Sequence, residues 1–367
     1  MRSIRRLSSI SALVGAFLAA APALAEDAAP LPAPTYRGEI VIPTGLKIAG
    51  TEFGGISGLD YDAASGTFYA ISDDRSEKAP ARFYRLIMDL SEKGIAGLDI
   101  AATDTLTGLD GKPFPVGGID PEAIRVDAAR QRIYWSSEGD AFGKPQIFVA
   151  GMNGKAEKTL DLPDAFLPNA GGTRGINPNL ALEGLAISPD GTTLYAITEN
   201  ALVQDGDKAT FEVGSPSRLL AIDLDTGKPG TEYVYETDRI PFRPKQAGGS
   251  ADNGVSEMLS LPDGRLVTVE RSYVAGVGNH IAFYVVSLEG ADEISGKATI
   301  AGATPLKKAL WFKIDEGDFG GLDIDNIECL TFGPEIAGER SIVIASDNNF
   351  SRHQASQFLL FTAPAGD

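Results

Sequence analysis

Carboxylates recur in this sequence at two fixed places of a repeated pattern. Glu122, Glu183, Glu257 and Glu328 each open a short apolar stretch. Asp73, Glu138, Glu199, Glu270 and Asp347 each close the stretch that follows, and Ser57 stands where the first copy should open with an acid. Gathered carboxylates do two kinds of chemistry: they hold hard cations, and they move protons. Basic groups trail the closing acids: Arg75 after Asp73-Asp74, Arg271 after Glu270, and Arg352 with His353 after Asp347. One reading of these is local ion pairing. The other is a rim where a cation and arginines share an anionic substrate such as a phosphate ester.

The elements that carry these acids repeat. Ile56–Asp62 leads into Thr67–Asp73, Glu122–Asp127 into Arg132–Glu138, and Glu183–Ile187 into Leu194–Glu199. Glu257–Leu261 leads into Leu266–Glu270, and Glu328–Phe332 into Ser341–Asp347. Each copy alternates apolar and polar residues around an Asp/Gly/Pro turn, the pattern of a β-hairpin. Asp62, Asp127, Asp190 and Asp263 fall in those turns and read as turn formers. A third strand follows each hairpin, and a fourth follows most, for example Thr231–Glu236. Copies start at 57, 122, 183, 257 and 328. Four-stranded units at this spacing predict an all-β fold, a β-propeller of five blades. The last copy lacks a fourth strand, which the N-terminal segment Tyr36–Pro43 can supply and so close the ring. Strand-like stretches within Ala298–Ile314 leave a sixth blade open.

In a hairpin the start of one strand lies beside the end of the next. The first strand of a blade lines the central channel. Up to nine carboxylates are therefore expected around one mouth. Two of them ~5 Å apart repel by roughly 3 kcal/mol at an effective dielectric of 20. Such a ring needs protons at raised pKa, basic partners, or a cation. Oxygen donors with little sulfur or imidazole point to Ca²⁺, ahead of Mg²⁺ or Mn²⁺. The expected metal ligands are Glu122, Glu138, Glu183, Glu257, Glu270, Glu328 and Asp347. Asp73 or Glu199 is the expected general base, and Arg75 and Arg271 the groups that steady an anion.

Composition removes several alternatives. The chain has 367 residues, 32 Lys+Arg against 50 Asp+Glu, and a net charge of −18, so a nucleic-acid surface is not expected. One cysteine, Cys329, and two histidines, His280 and His353, exclude an internal disulfide and sites built from several Cys or His ligands. No Gly-x-Ser-x-Gly elbow occurs, and neither histidine has a visible partner for serine-hydrolase chemistry. Asp205-Gly206-Asp207 reads as a surface turn. Arg2, Arg5 and Arg6, the run Ile10–Ala21 and the site Ala23-Leu24-Ala25 form a secretory signal peptide over residues 1–25. Cleavage after Ala25 would leave a chain of net charge −21, a flexible leader over 26–34 and one propeller domain over 35–367. The expected location is the periplasm or the medium, with no stable membrane insertion and a monomeric state.

Several of these stretches carry a family resemblance. Gly55-Ile56-Ser57-Gly58-Leu59, Asp120-Pro121-Glu122-Ala123-Ile124 and Leu182-Glu183-Gly184-Leu185-Ala186 are three of them. Glu270-Arg271-Ser272, Asp325-Asn326-Ile327-Glu328 and Ser346-Asp347-Asn348-Asn349-Phe350 are the others. Together they resemble the bacterial phytase-like family, described as "esterase-like activity of phytase", from about residue 53 to 361. Cys329 stands where Gly184 would suggest Gly, and Met258 is read at the same position. The resemblance implies a β-propeller and hydrolysis of carboxylate or phosphate esters. A small anionic or ester substrate is then expected. A lactonase-like metal propeller and a non-catalytic ligand-binding or scaffold propeller are the alternatives.

Overall fold

Alternating strands separated by short Asp/Gly turns leave the chain one way to hide its apolar faces, which is to stack hairpin on hairpin. The computed structural model describes residues 31–364. The expected signal peptide, residues 1–25, lies outside the described residues. Five four-stranded antiparallel sheets form a five-bladed β-propeller. Blade I runs Ile56–Asp62, Thr67–Ser72, Arg82–Ser91 and Gly94–Thr105, from the axis outward. Blade II runs Pro121–Asp127, Arg132–Ser137, Gln146–Gly151 and Ala156–Thr159. Blade III runs Leu182–Ile187, Thr193–Thr198, Pro216–Asp223 and Lys228–Glu236. Blade IV runs Gly254–Ser260, Leu266–Val274, Gly278–Ser287 and Lys307–Asp315. Blade V takes Asn326–Ile336, Glu339–Asp347 and Ala355–Pro364 from the C-terminal end of the chain. Its outer strand is Thr35–Pro43, paired antiparallel with Ala355–Pro364. The N-terminal strand thus closes the ring, as expected. The segment 298–314 forms no sixth blade, because its strand is the outer edge of blade IV.

Each interface between neighbouring blades is one apolar cluster, and the ring has five of them. Between blades I and II, Trp135 stacks on Phe148 with centroids 4.1 Å apart, beside Ile71 and Phe83. Between IV and V, Phe283 stacks on Phe312 at 4.0 Å beside Ile342 and Phe361. The turn aspartates hold their own turns: Asp190 accepts from the Thr192 N–H at 3.0 Å, and Asp62 from that of Ala64 at 3.0 Å. Asp205 is no surface group. It is buried against Arg218, whose guanidinium also reaches Glu232 at 2.9 Å.

The inner strands crowd the axis. A Cβ on Gly58 would fall 2.7 Å from the Glu122 carbonyl oxygen, so the position has no room for a side chain. Just below the mouth a charged side chain lies across the axis. Arg125, on the inner strand of blade II, is buried and donates to Leu59 O of blade I at 3.1 Å and to Met258 O of blade IV at 2.6 Å. Its ion pair with Glu257 is 2.7 Å long. Blades II and IV are not neighbours, so this side chain crosses the axis. Asp60 adds charge from blade I and accepts from the Val126 N–H at 2.7 Å. Burial raises the Glu257 carboxyl to about 8, against the pull of Arg125. Removing one partner of a buried pair strands the other, at a cost of about 3–5 kcal/mol. Arg125→Met should therefore lower unfolding stability by about that much in urea titrations, and adding Glu257→Met should recover most of it. A loss below about 1 kcal/mol for the single variant would remove the plug from the list of what holds the inner strands.

Candidate active site at the acidic mouth

Every inner hairpin carries a β-bulge at the same place, near the mouth. The residues left out of register are Ser57, Glu122 with Ala123, Glu183, Ser256 and Glu328. A bulge re-aims the side chain it carries. The facing position on the second strand, one past the pair that precedes the bulge, is Asp73, Glu138, Glu199, Arg271 and Asp347. Backbone hydrogen bonds fix it: Asp73 N–H to Gly55 O at 2.9 Å, Glu138 to Asp120 at 3.0 Å, Glu199 to Ala181 at 2.8 Å.

Blade IV therefore differs from its expected alignment by one residue. Ser256, not Glu257, takes the bulge, and Arg271, not Glu270, takes the strand end. A one-residue shift turns each side chain to a new environment. Glu257 falls beside Arg125 on the axis, at the level of Gly58, Gly184 and Cys329, so Glu257 rather than Met258 stands opposite Gly184. Glu270 turns to the opposite face. There it accepts from Tyr235 at 2.7 Å, from the Asp238 N–H at 2.7 Å and from Asn253 at 3.0 Å, with Lys308 at 2.5 Å. The mouth gathers the other seven expected acids, Asp73, Glu122, Glu138, Glu183, Glu199, Glu328 and Asp347. Burial, and after it like charge, raises the pKa of Asp73, Glu122, Glu183, Glu199, Glu328 and Asp347.

One group sits closer still. Asp120, Glu122 and Glu138, all buried, bring carboxylate oxygens within 4.8 Å of one another, an arrangement that can hold a metal ion. Asp120 was not among the expected site residues. Its signal was local, since Asp120-Pro121 directly precedes the bulge at Glu122. The Ala181 N–H of blade III donates to Glu138 at 2.6 Å and fixes that carboxylate. Arg75 ion-pairs with Asp120 and keeps its side chain about half exposed.

Environment divides the acids. Burial, then repulsion from Glu328, Asp120 and Asp74, lifts Asp73 to about 8. Burial would raise its neighbour Asp74 as well, but hydrogen bonds from Arg82 and the N–H groups of Lys78 and Ala79 hold it below the ordinary range. Asp73 Oδ1 is buried with no hydrogen-bond partner. Burial also lifts Glu199 to about 8 against the pull of Arg271, and Asp120 to about 6. Burial and like charge raise Glu122, Glu183 and Asp347 well above the usual carboxylate range, and burial raises Glu328. Gly254 leaves space for Glu199, since a Cβ there would sit 2.6 Å from its Oε1.

Arg271 is the cation within the ring. Burial disfavours its charge, but Glu328 and Glu199 more than compensate and keep it protonated. Its Nη2 lies 3.8 Å from each of them, beyond hydrogen-bond reach, and its Nε is buried and unpartnered. It lines a cleft of 1320 Å³ together with Asn326, Asn349, Arg352 and His353. His280 does have a partner, Asp315 Oδ1 at 2.9 Å from Nδ1.

The raised acids make a prediction about stability. A carboxyl whose pKa is higher folded than unfolded binds more protons in the native state, so stability falls as pH rises through that window. With Asp73 and Glu199 near 8 and Asp120 near 6, the window runs from about 4 to about 8. In chelator, the melting midpoint should fall by several degrees between about pH 5 and about pH 8, and Ca²⁺ should restore it at the higher pH. A chelated protein that grows more stable over that range would contradict the crowding of these oxygens.

The family model described as "Phytase-like: Esterase-like activity of phytase" matches residues 51–350. An "Uncharacterized secreted protein" of Arthroderma benhamiae is 25% identical over 246 residues, 58% of this chain and 45% of the relative. A UDP-N-acetylmuramate–L-alanine ligase of Bifidobacterium longum subsp. infantis is 24% identical over 280 residues, 73% of this chain and 52% of the relative. The chain thus spans about half the length of the curated relatives it matches. Among solved structures, Kuenenia stuttgartiensis hydrazine synthase aligns with a TM-score of 0.37 and 14% identity, over 83% of this chain and 79% of that one. The Dos1 propeller aligns with a TM-score of 0.36 and 8% identity, over 86% and 69%. No helix among the described residues is long and apolar enough to cross a membrane. With its model matched over most of the propeller and the bulges at Ser57, Glu122, Glu183 and Glu328 inside that match, the chain belongs to the Phytase-like family.

Proposed function

We propose that the protein is an exported, divalent-metal-assisted hydrolase of phosphate or carboxylate esters, working at the acidic mouth. The buried carboxylate triad Asp120, Glu122 and Glu138 carries the reading. Hard oxygen donors, with the partnerless Asp73 Oδ1 beside them, suit Ca²⁺ better than a softer ion. Glu183, which interacts with both Glu122 and Glu138, would add a further donor. A bound Ca²⁺ supplies Lewis-acid polarisation and neutralises charge that develops on the ester.

The chain's own residues do the rest. Asp73 takes the proton of the attacking water, because its free oxygen has no competing hydrogen bond and its carboxyl is tuned near the working pH. Glu199 is the second proton acceptor. Arg271 binds the anionic portion of the substrate through guanidinium N–H groups that no carboxylate holds. Arg75, half exposed above Asp120, closes over the anion from the other side. The signal peptide over 1–25, cleaved after Ala25, takes the protein to the periplasm or medium, in keeping with a relative named as secreted. The partner is a small anionic or ester substrate, not nucleic acid or membrane, and the working unit is a monomer.

Turnover of a phosphomonoester, a carboxylester and a lactone should be measured with Ca²⁺ and with chelator. We expect ester turnover that chelator abolishes. Glu122→Gln should cut kcat/KM more than about 100-fold, ~2.7 kcal/mol of barrier, and reduce the Ca²⁺ shift in melting midpoint. Glu122→Gln with unchanged activity and unchanged Ca²⁺ shift refutes the site. Lactone turnover alone would mark a lactonase-like propeller. A Ca²⁺-dependent rise in stability without any turnover would mark a scaffold.

A further inference from the structure

The two loops that bring Asp120 and Glu138 to the mouth also carry bare apolar side chains. Val116, four residues before Asp120, is 74% exposed. Phe142, four residues after Glu138, is 91% exposed, the highest among the exposed large hydrophobic residues. Four residues span at most roughly 14 Å, so the Cα atoms of Val116 and Phe142 lie within that reach of those of Asp120 and Glu138. The loops leave the triad together: the Glu138 N–H donates to Asp120 O at 3.0 Å, and Ser137 Oγ accepts from the Asp120 N–H at 3.2 Å. Each loop is also pinned. The Gly117 N–H donates to Arg75 O at 2.7 Å, and the Phe142 N–H to Asp140 Oδ1 at 2.8 Å. Phe114 of the first loop packs edge-on against Trp135 at 5.8 Å. The neighbouring Phe114 is therefore folded into the core while Val116 and Phe142 are held outward on fixed backbone.

Charge narrows what these side chains meet. The chain carries −18, so a compact polyanion approaches against a repulsive field. A neutral or singly charged ester with an apolar tail meets no such barrier. Its ester group reaches the triad while the tail rests on Val116 and Phe142 and is partly withdrawn from water.

Resting on the ester-hydrolase reading of this mouth, we infer that its substrates are esters with an apolar tail, an acyl or alkyl chain of about eight carbons or an equivalent ring, which Val116 and Phe142 receive at the lip. Burial of a few methylene groups at the lip should favour a long chain over a short one by about tenfold.

The test is a chain-length series on the full Ca²⁺-loaded protein. We expect kcat/KM for 4-nitrophenyl octanoate to exceed that for the acetate by about tenfold, and Phe142→Ser combined with Val116→Ser to erase most of that ratio. The retained rise of melting midpoint with Ca²⁺ shows that the variant keeps its fold and its triad. Acetate turnover with a ratio near one in the wild type, or a ratio untouched by the double variant, overturns the apolar lip and leaves the hydrolase reading standing. Should no ester be turned over, the hydrolase reading fails, and the lip is judged by calorimetric binding of n-octyl phosphate against methyl phosphate. Octyl binding tighter by about tenfold, and weakened in the double variant, supports the lip; equal binding overturns it.

Discussion

Repulsion among buried carboxylates is the constraint on which this molecule turns. Seven acids from four blades, with Asp120 beside them, converge on one mouth, where Arg271 sits within the ring and Arg75 pairs with Asp120. At ordinary carboxylate pKa values the inner strands could not be held so close around that charge. Protons, Arg271 and a bound cation are three ways to relieve it, and they compete for the same oxygens. Ionisation, metal affinity and fold stability are therefore one linked property of the mouth. The plug of Arg125 with Glu257 and Asp60 solves a second charge problem, lower on the axis, by pairing instead.

The bulge shared by every inner hairpin is the device that makes the mouth. It costs one unpaired residue per blade and gives each blade a side chain aimed at the axis rather than at a neighbouring sheet. The strand-end residue on the second strand supplies a further group at the same height. A blade can change its contribution without changing its fold, by choice of residue at these two positions. Blade I offers Ser57 with Asp73, blades II and III each offer two glutamates, and blade IV offers Ser256 with Arg271. Blade V offers Glu328 with Asp347, so the rim is acidic at blades II, III and V and basic at blade IV.

Much of this could be read in the sequence, because period-two alternation and Asp/Gly turns are local signals. The number of blades, the closing strand Thr35–Pro43 and the gathering of Asp73, Glu122, Glu138, Glu183, Glu199, Glu328 and Asp347 all follow from such signals. Blade IV departs from that reading by one residue because Glu257 and Glu270 offer the expected acid one position from where the backbone places the bulge. Only pairing across the hairpin decides between Val255-Ser256 and Ser256-Glu257, and pairing is not a property of either strand alone. Arg125 was missed for a related reason. In sequence it is an interior charge in an alternating strand, and its partners Leu59, Met258 and Glu257 lie 66, 133 and 132 positions away.

Arg271 joins these strands of argument. The register that removes Glu270 from the mouth is the same register that brings Arg271 in, so the misplaced acid and the ring cation are two sides of one shift. With an acid at that strand end, the ring would be one charge more negative and one charge less positive, a change of two units among groups already raised above their ordinary pKa. With the arginine, Glu199 and Glu328 are drawn toward the charged form while the guanidinium stays 3.8 Å off, too far to be spent on them. Its hydrogen-bonding capacity is left unspent at the cleft that it lines with Asn326, Asn349, Arg352 and His353.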